Sequence, residues 1–213
     1  MQNIIWDWTG VIKDGVKDHH KVINLMFEDF SLPPISLEEL KETWKQPYMD
    51  FYNTYLPSLT MEEQKKAYFK AFDQVSNPKP YDNIVNLIKQ LHRKGKNMYL
   101  LSSDSPRTIL DEIKDFDLEG IFEDMDLEVH NKVNHIADLL RRNSMKSTNT
   151  VIIGDTNNEI EAGKSVGIET VAVTWGLCSE ENLKKYNPDY IVHNTKELEK
   201  ILLNKLGYML HGL

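Results

Sequence analysis

The sequence predicts an α/β protein built on a doubly wound parallel sheet, with a small helical segment set into the chain after the first strand. Three observations carry this. Short apolar runs of strand type alternate with longer stretches of helical period over most of the 213 residues, and strand, helix, strand in repetition implies parallel strands covered by helices on both faces. Between 13 and 79 the alternation stops, and amphipathic stretches follow one another with no good strand among them. Gly95 and Gly167 stand where helices should stop, because glycine takes the left-handed conformation that ends a helix at little cost.

Taken in order, the first strand is Ile4-Ile5-Trp6, running into Asp7. Turn chemistry at Lys13-Asp14-Gly15 opens the insert and Asn77-Pro78-Lys79-Pro80 closes it. Amphipathic stretches lie at 16–30, 37–44 and 61–75 between them. The division is a core of residues 1–12 and 80–213 and a helical cap of residues 13–79, joined by two linkers. Aromatics crowd the insert, Trp44, Tyr48, Phe51, Tyr52 and Tyr68 among them; they are expected to form its own core, with some facing a substrate cleft. Beyond it, a helix at 82–93 leads to a strand at 98–101, and a helix at 106–115 to a weaker strand at 127–129. Helices at 133–142 and 158–166 lead to strands at 151–153 and 171–173, and a last strand at 190–192 precedes a helix at 195–206.

Composition narrows the function. Asp and Glu number 33 against 25 Lys and Arg, a net charge of −8. No basic cluster offers the footprint of a nucleic-acid or anionic-membrane binder. Hydrophobic residues at 40% and charged residues at 27% exclude a disordered chain. The apolar runs fall far short of the ~20 residues that span a bilayer, so the expected location is cytoplasmic. The single Cys178 makes neither an internal disulfide nor a multi-cysteine zinc site.

In a parallel α/β sheet ligands bind beyond the carboxyl ends of the strands. The first strand runs into Asp7-Trp8-Thr9-Gly10-Val11, the second into Ser102-Ser103-Asp104-Ser105-Pro106, and the fourth into Gly154-Asp155-Thr156 through Glu159; Lys132 precedes the helix leading to that fourth strand. Together they make a coherent phosphoryl-transfer site. Asp7 is the candidate nucleophile. Asp7 and Asp155 supply hard oxygen ligands for Mg²⁺, and Glu159 is placed to hold a metal-bound water or orient a ligand. Ser103, Asp104 and the Gly10 turn are candidates for the substrate phosphate, with Lys132 neutralising both nucleophile and transferring group.

These motifs resemble the haloacid dehalogenase superfamily, in its phosphatase branch with a helical cap inserted after the first strand. The resemblance covers essentially the whole chain. The family's D-x-D-x-(T/V) opening is matched by Asp7, Gly10 and Val11, its second-motif hydroxyl by Ser103, its lysine by Lys132, and its acidic fourth motif by Asp155 and Glu159. Thr174-Trp175-Gly176 and Asn187-Pro188-Asp189-Tyr190 are similar to phosphoglycolate-phosphatase-like members. The resemblance implies a Rossmann-like core, Mg²⁺ dependence, a small phosphorylated metabolite as substrate, and a monomer or homodimer.

One position departs from the family. Where its phosphatases carry a second aspartate as general acid/base, and count it in the catalytic and metal site, this chain has Thr9. General acid–base help is worth about 10²–10⁴ in rate, so esters with poor leaving groups should turn over slowly, and Thr9→Asp is expected to speed them. P-type ATPases resemble the chain here, with Asp-x-Thr-Gly. So do phosphonoacetaldehyde hydrolases, whose Asp-Trp-Ala-Gly and cap lysine raise an alternative of C–P cleavage through Lys45. A non-catalytic phospho-ligand module is the other alternative. The His19-His20 pair and the His130/His135 spacing do not suit a two-histidine metal face and read as surface; Cys178, with no cationic or histidine neighbour in sequence, reads as a bystander.

Overall fold

Successive side chains of a strand point to opposite faces, and the first strand, β1 (Asn3–Trp6), shows it. Ile4 and Trp6 enter one hydrophobic core and Ile5 the other. In this computed structural model, which describes residues 1–75 and 79–204, β1 lies inside a 6-stranded parallel sheet with β2 (Asn97–Leu101), β3 (Phe122–Asp126), β4 (Thr150–Gly154), β5 (Glu169–Val173) and β6 (Tyr190–Val192). The order is β3-β2-β1-β4-β5-β6. The direction of winding reverses between β1 and β4, and there the ends of two adjacent strands open a crevice.

Both faces of the sheet are covered, which is why its inner strands read as unbroken apolar runs. Helices α5 (Asp82–Arg93), α6 (Pro106–Asp115) and α10 (Thr195–Asn204) bring Ile84, Ile88, Ile109 and Leu198 to the face that holds Ile4 and Trp6. Helices α7 (Lys132–Arg142) and α8 (Asn157–Ser165) bring Ile136, Leu139 and Ala162 to the face of Ile5 and Ile152. Between β1 and α5 lie α1 (Val16–Asp29), α2 (Leu37–Thr43), α3 (Tyr48–Tyr55) and α4 (Met61–Phe72). Ser36 caps α2, and a Thr60–Glu63 capping box starts α4. Ile23, Phe27, Leu40, Phe51 and Tyr52 form the core of this segment, continuous with Ile160, Ala172 and Leu183 of the sheet layer. Its two connections run side by side: Tyr81 N–H donates to the Ile12 carbonyl and Asp14 N–H to the Lys79 carbonyl, both over 2.8 Å.

Several expectations are corrected. The weak strand expected at 127–129 is instead β3, Phe122–Asp126. It is the sheet's edge and carries Glu123, Asp124 and Asp126; Arg142 of α7 pairs with Asp124 at 2.6 Å and with Asp126 at 2.8 Å, so acids replace the apolar signature. The stretch around Tyr48 forms α3, which no expectation included. Short α9 (Glu180–Lys184), capped by Ser179, is likewise an element beyond those expected. Helix 158–166 begins and ends one residue earlier, and helix 61–75 gives way to turns after Phe72. Linker residues Asn77 and Pro78 and the end of the 195–206 helix lie outside the described residues.

Candidate active site

Asp7 leaves the carboxyl end of β1, with its N–H donating to the Ile153 carbonyl at 3.0 Å. The turn behind it is anchored by Trp8, fully buried and stacked on Phe116 with ring centroids 5.5 Å apart. Trp8 Nε1 and Lys13 Nζ donate to the two oxygens of Glu112, at 2.5 and 2.6 Å. Gly10 closes the turn at φ +87°, and a Cβ there would collide with the Asp155 carboxylate. Only glycine meets both demands. Its N–H donates to the Lys13 carbonyl at 2.9 Å, so the structure assigns this N–H to the turn itself.

Lys132 is the first residue of α7 and is 1% exposed. Its ammonium donates to Asp7 Oδ1 and to Glu159 Oε1, each over 2.5 Å. Burial alone would lower this lysine, but the carboxylates of Asp7 and Glu159 hold it charged, above the ordinary lysine range. Glu159 spends its other oxygen on the N–H and hydroxyl of Thr156, at 3.1 and 2.7 Å, in a capping box that starts α8. With both oxygens bonded to the protein, Glu159 orients Lys132.

Asp155 follows β4 across the crevice and is fully buried. Its Oδ2 accepts from the Leu177 N–H at 2.6 Å, whereas Oδ1 is buried with no partner in the protein. Gly176 is needed beside it, since a Cβ there would strike the same carboxylate. Burial, reinforced by Asp7 and Glu159, pushes the Asp155 carboxyl well above the usual range. Asp7 is raised to about 7, by burial first and then by Glu159 and Asp104, against the pull of Lys132.

The cluster thus sets the carboxylates of Asp7, Asp155 and Glu159 against one ammonium. Among the described residues no group of three or more His, Cys, Asp or Glu side chains is gathered so as to hold a metal ion. A hard divalent cation that keeps waters needs only one or two carboxylates, and Asp7 with the orphaned Asp155 Oδ1 fits that demand.

The remaining expected residues stand apart from this cluster. Thr9 Oγ1 donates to Asp104 Oδ2 at 2.7 Å, and Ser102 Oγ donates to the same oxygen at 3.2 Å. Ser103 Oγ is turned to the Val129 carbonyl at 3.0 Å. Ser103 and Asp104 line a cavity beneath the α1–α4 segment, together with His19 and His130. Both histidines were expected at the surface. His19 packs edge-on against Trp44, with ring centroids 4.7 Å apart, and His130 edge-on against Tyr48, 5.1 Å apart. Lys45 is exposed and away from this cavity. Cys178 is buried, its thiol pushed up by burial and then by Asp155 and Glu159, in keeping with an unreactive side chain.

No helix among the described residues is long and apolar enough to cross a membrane. The sequence model for haloacid dehalogenase-like hydrolases matches residues 4–173. The chain is 22% identical to the phosphoglycolate phosphatase of Synechococcus elongatus, over 93% of its own length and 95% of that protein's. It is 23% identical to the pyrophosphatase PpaX of Halalkalibacterium halodurans, over 58% of its own length and 60% of that protein's. Among solved structures, a predicted phosphatase from Clostridium acetobutylicum shares the fold with a TM-score of 0.80 at 20% identity, over 95% of this chain and 98% of that one. A haloacid dehalogenase-like family protein from Streptococcus pneumoniae does so with a TM-score of 0.74 at 19% identity, over 98% of each chain.

Proposed function

The chain belongs to the haloacid dehalogenase-like hydrolase family, and from this premise we propose that it is a Mg²⁺-dependent phosphohydrolase of a small phosphorylated metabolite, with Asp7 as nucleophile and the α1–α4 segment as a cap over the site. The observation that carries the reading is the buried ammonium of Lys132, 2.5 Å from both Asp7 and Glu159, at the crevice that Asp155 shares.

In the first step a carboxylate oxygen of Asp7 attacks phosphorus, and the bond to the leaving oxygen breaks with its electron pair. In the second, water attacks the same phosphorus and Asp7 is released as phosphate departs. Lys132 offsets charge on nucleophile and phosphoryl oxygens in a site where water screens little. Bound at Asp7 and Asp155, Mg²⁺ would neutralise the excess negative charge and polarise the phosphoryl group. Residue 9 supplies no carboxyl to protonate the leaving oxygen; its hydroxyl is committed to Asp104.

The C–P cleavage alternative needs a cleft amine free to form an imine. Lys13 and Lys65 line the cavity but are paired with Glu112 and Glu128, at 2.6 and 3.0 Å, and Lys45 lies outside it. No observation favours that route. The test is phosphate release from a panel of phosphorylated metabolites with Mg²⁺. Asp7→Asn should fold as the parent and release none, and acid quenching of the parent should trap a phosphorylated Asp7 by mass. Turnover that survives in Asp7→Asn overturns the reading.

A further inference from the structure

The turn that follows Asp7 closes on itself. The N–H groups of Val11, Ile12 and Lys13 all donate to the Trp8 carbonyl, at 3.2, 2.8 and 3.0 Å, and the Gly10 N–H donates back to the Lys13 carbonyl at 2.9 Å. These bonds make the turn rigid within, but they do not set how it leans on the sheet, and that lean decides where the Asp7 carboxylate points. Side chains set it.

Trp8 and Lys13, the two ends of the turn, reach a single carboxylate. Glu112 of α6, 104 and 99 residues along the chain, accepts from Trp8 Nε1 on one oxygen and from Lys13 Nζ on the other. All three side chains are buried. Between them Thr9 is held by Asp104, in the loop that leads into α6. Three side chains of the turn are therefore bound to the one segment that follows Ser103. Burial first raises the Glu112 carboxyl, and the Lys13 ammonium and the Trp8 N–H oppose the rise, so the carboxylate that accepts both bonds depends on Lys13 for its charge.

A buried ion pair is a poor device for stability alone. Removing both charges from water costs about as much as their attraction returns, and a well-packed apolar pair of similar volume often does as well or better. What the pair supplies beyond apolar packing is direction, because hydrogen bonds weaken steeply away from their preferred angle whereas hydrophobic contact is non-directional. Trp8 divides in the same way. Its ring stacks on Phe116, a contact that another large apolar side chain could replace, while its N–H is aimed at Glu112.

We propose that Glu112 is a positioning residue for phosphoryl transfer: by holding Trp8 and Lys13 together it fixes the line along which Asp7 meets phosphorus. The proposal rests on the phosphohydrolase reading and adds to it a residue outside the crevice. A displacement of about 1 Å in a reacting group can cost about 10² in rate. A loss confined to the transition state lowers kcat and leaves KM in place.

The test separates turnover from stability. In the full chain, Trp8→Phe, Lys13→Met and Glu112→Leu are combined, so that no buried charge or donor of the set is left unpaired. Hydrolysis of p-nitrophenyl phosphate with Mg²⁺ is followed under conditions in which urea unfolding curves show parent and variant fully folded. A set that serves stability alone would leave the folded protein at the parent's rate. The triple variant should instead show kcat lowered by about 10- to 100-fold, with KM within about threefold of the parent's. A folded variant at the parent's kcat, or a loss that falls on KM with kcat kept, overturns the proposal. If the triple variant does not fold, Trp8→Phe alone, which leaves Lys13 and Glu112 paired, decides on the same two constants with an expected fall in kcat of about tenfold. Hydrolysis that Asp7→Asn abolishes and the folded triple variant retains in full sinks this proposal and spares the phosphohydrolase reading. A parent that hydrolyses no phosphate ester sinks both.

Discussion

The resemblance of Asp7-Trp8-Thr9-Gly10 to the family's opening motif implies a second aspartate where this chain has Thr9, and the structure shows what introducing that carboxylate would meet. Thr9 Oγ1 gives its proton to Asp104 Oδ2 at 2.7 Å. Thr9→Asp replaces this bond with two carboxylates face to face. Like charges about 4 Å apart repel by ~4 kcal/mol at an effective dielectric of ~20, and the lost bond to a charged acceptor adds about 1.5–3 kcal/mol. Asp104 is only half-buried, so solvent screening trims the sum, and a net loss of about 2–4 kcal/mol is expected. The single variant should therefore be destabilised and show little of the gain on alkyl phosphates, about 10²–10⁴-fold, that a well-placed general acid can supply.

Asp104→Asn supplies the relief, because its amide can donate to a carboxylate at position 9. The double variant should recover at least ~2 kcal/mol relative to the sum of the single changes. It should also hydrolyse alkyl phosphates faster than the parent, with a smaller gain on aryl phosphates, whose leaving groups need little protonation. Urea unfolding followed by tryptophan fluorescence measures the first effect, and kcat at saturating Mg²⁺ the second. If the two substitutions act additively on stability, or if Thr9→Asp alone is as stable as the parent, the Asp104 carboxylate is not what constrains residue 9 and the argument is refuted.

Two further outcomes follow from the same cluster. Lys132→Met strands Asp7 and Glu159 without their ammonium and should cost about 3–5 kcal/mol in denaturant unfolding as well as turnover; a variant as stable as the parent would contradict the buried pairing. Asp7, raised from 3.8 to about 7, binds more protons folded than unfolded between those values, so its contribution to the metal-free protein is favourable at low pH and is lost as pH rises through the window. A divalent cation competes with those protons, so Mg²⁺ should raise Tm more at pH 8 than at pH 5, and equal shifts at both pH values would rule this out.

Which parts of the molecule were legible in the sequence follows from where each residue finds its partners. β1, β2, β4 and β5 are covered on both faces and so write themselves as apolar runs; β3 satisfies Asp124 and Asp126 through Arg142, 16 or 18 residues along the chain, and a run of acids is indistinguishable from a loop. Helix α3 does carry a signal, since Tyr48, Phe51, Tyr52 and Tyr55 recur at helical spacing, but a stretch so rich in aromatics hides that spacing behind its composition. Asp7 and Asp155 were legible because strand ends announce them. The burial of Lys132 was not, since lysine is normally exposed and its partners lie 125 and 27 residues away. His19 and His130 become cavity walls only once the helical segment folds over the loops after β2 and β3.

The way the cluster divides its hydrogen bonds separates structural from chemical duty. An ammonium has three donors; Lys132 spends one on Asp7 and one on Glu159, leaving one for a phosphoryl oxygen. Glu159 keeps nothing in reserve, with one oxygen on Lys132 and the other on Thr156. Asp155 keeps Oδ1 and Asp7 keeps Oδ2, neither reached by a hydrogen bond from any described residue. What remains uncommitted is one donor and two carboxylate oxygens, in a pocket where burial makes the surplus negative charge costly. That arrangement is poor as a structural ion cluster, since replacing Asp155 with an apolar residue would relieve it. It is suited to receive a phosphate and a divalent cation together, each of which satisfies the groups the other leaves open.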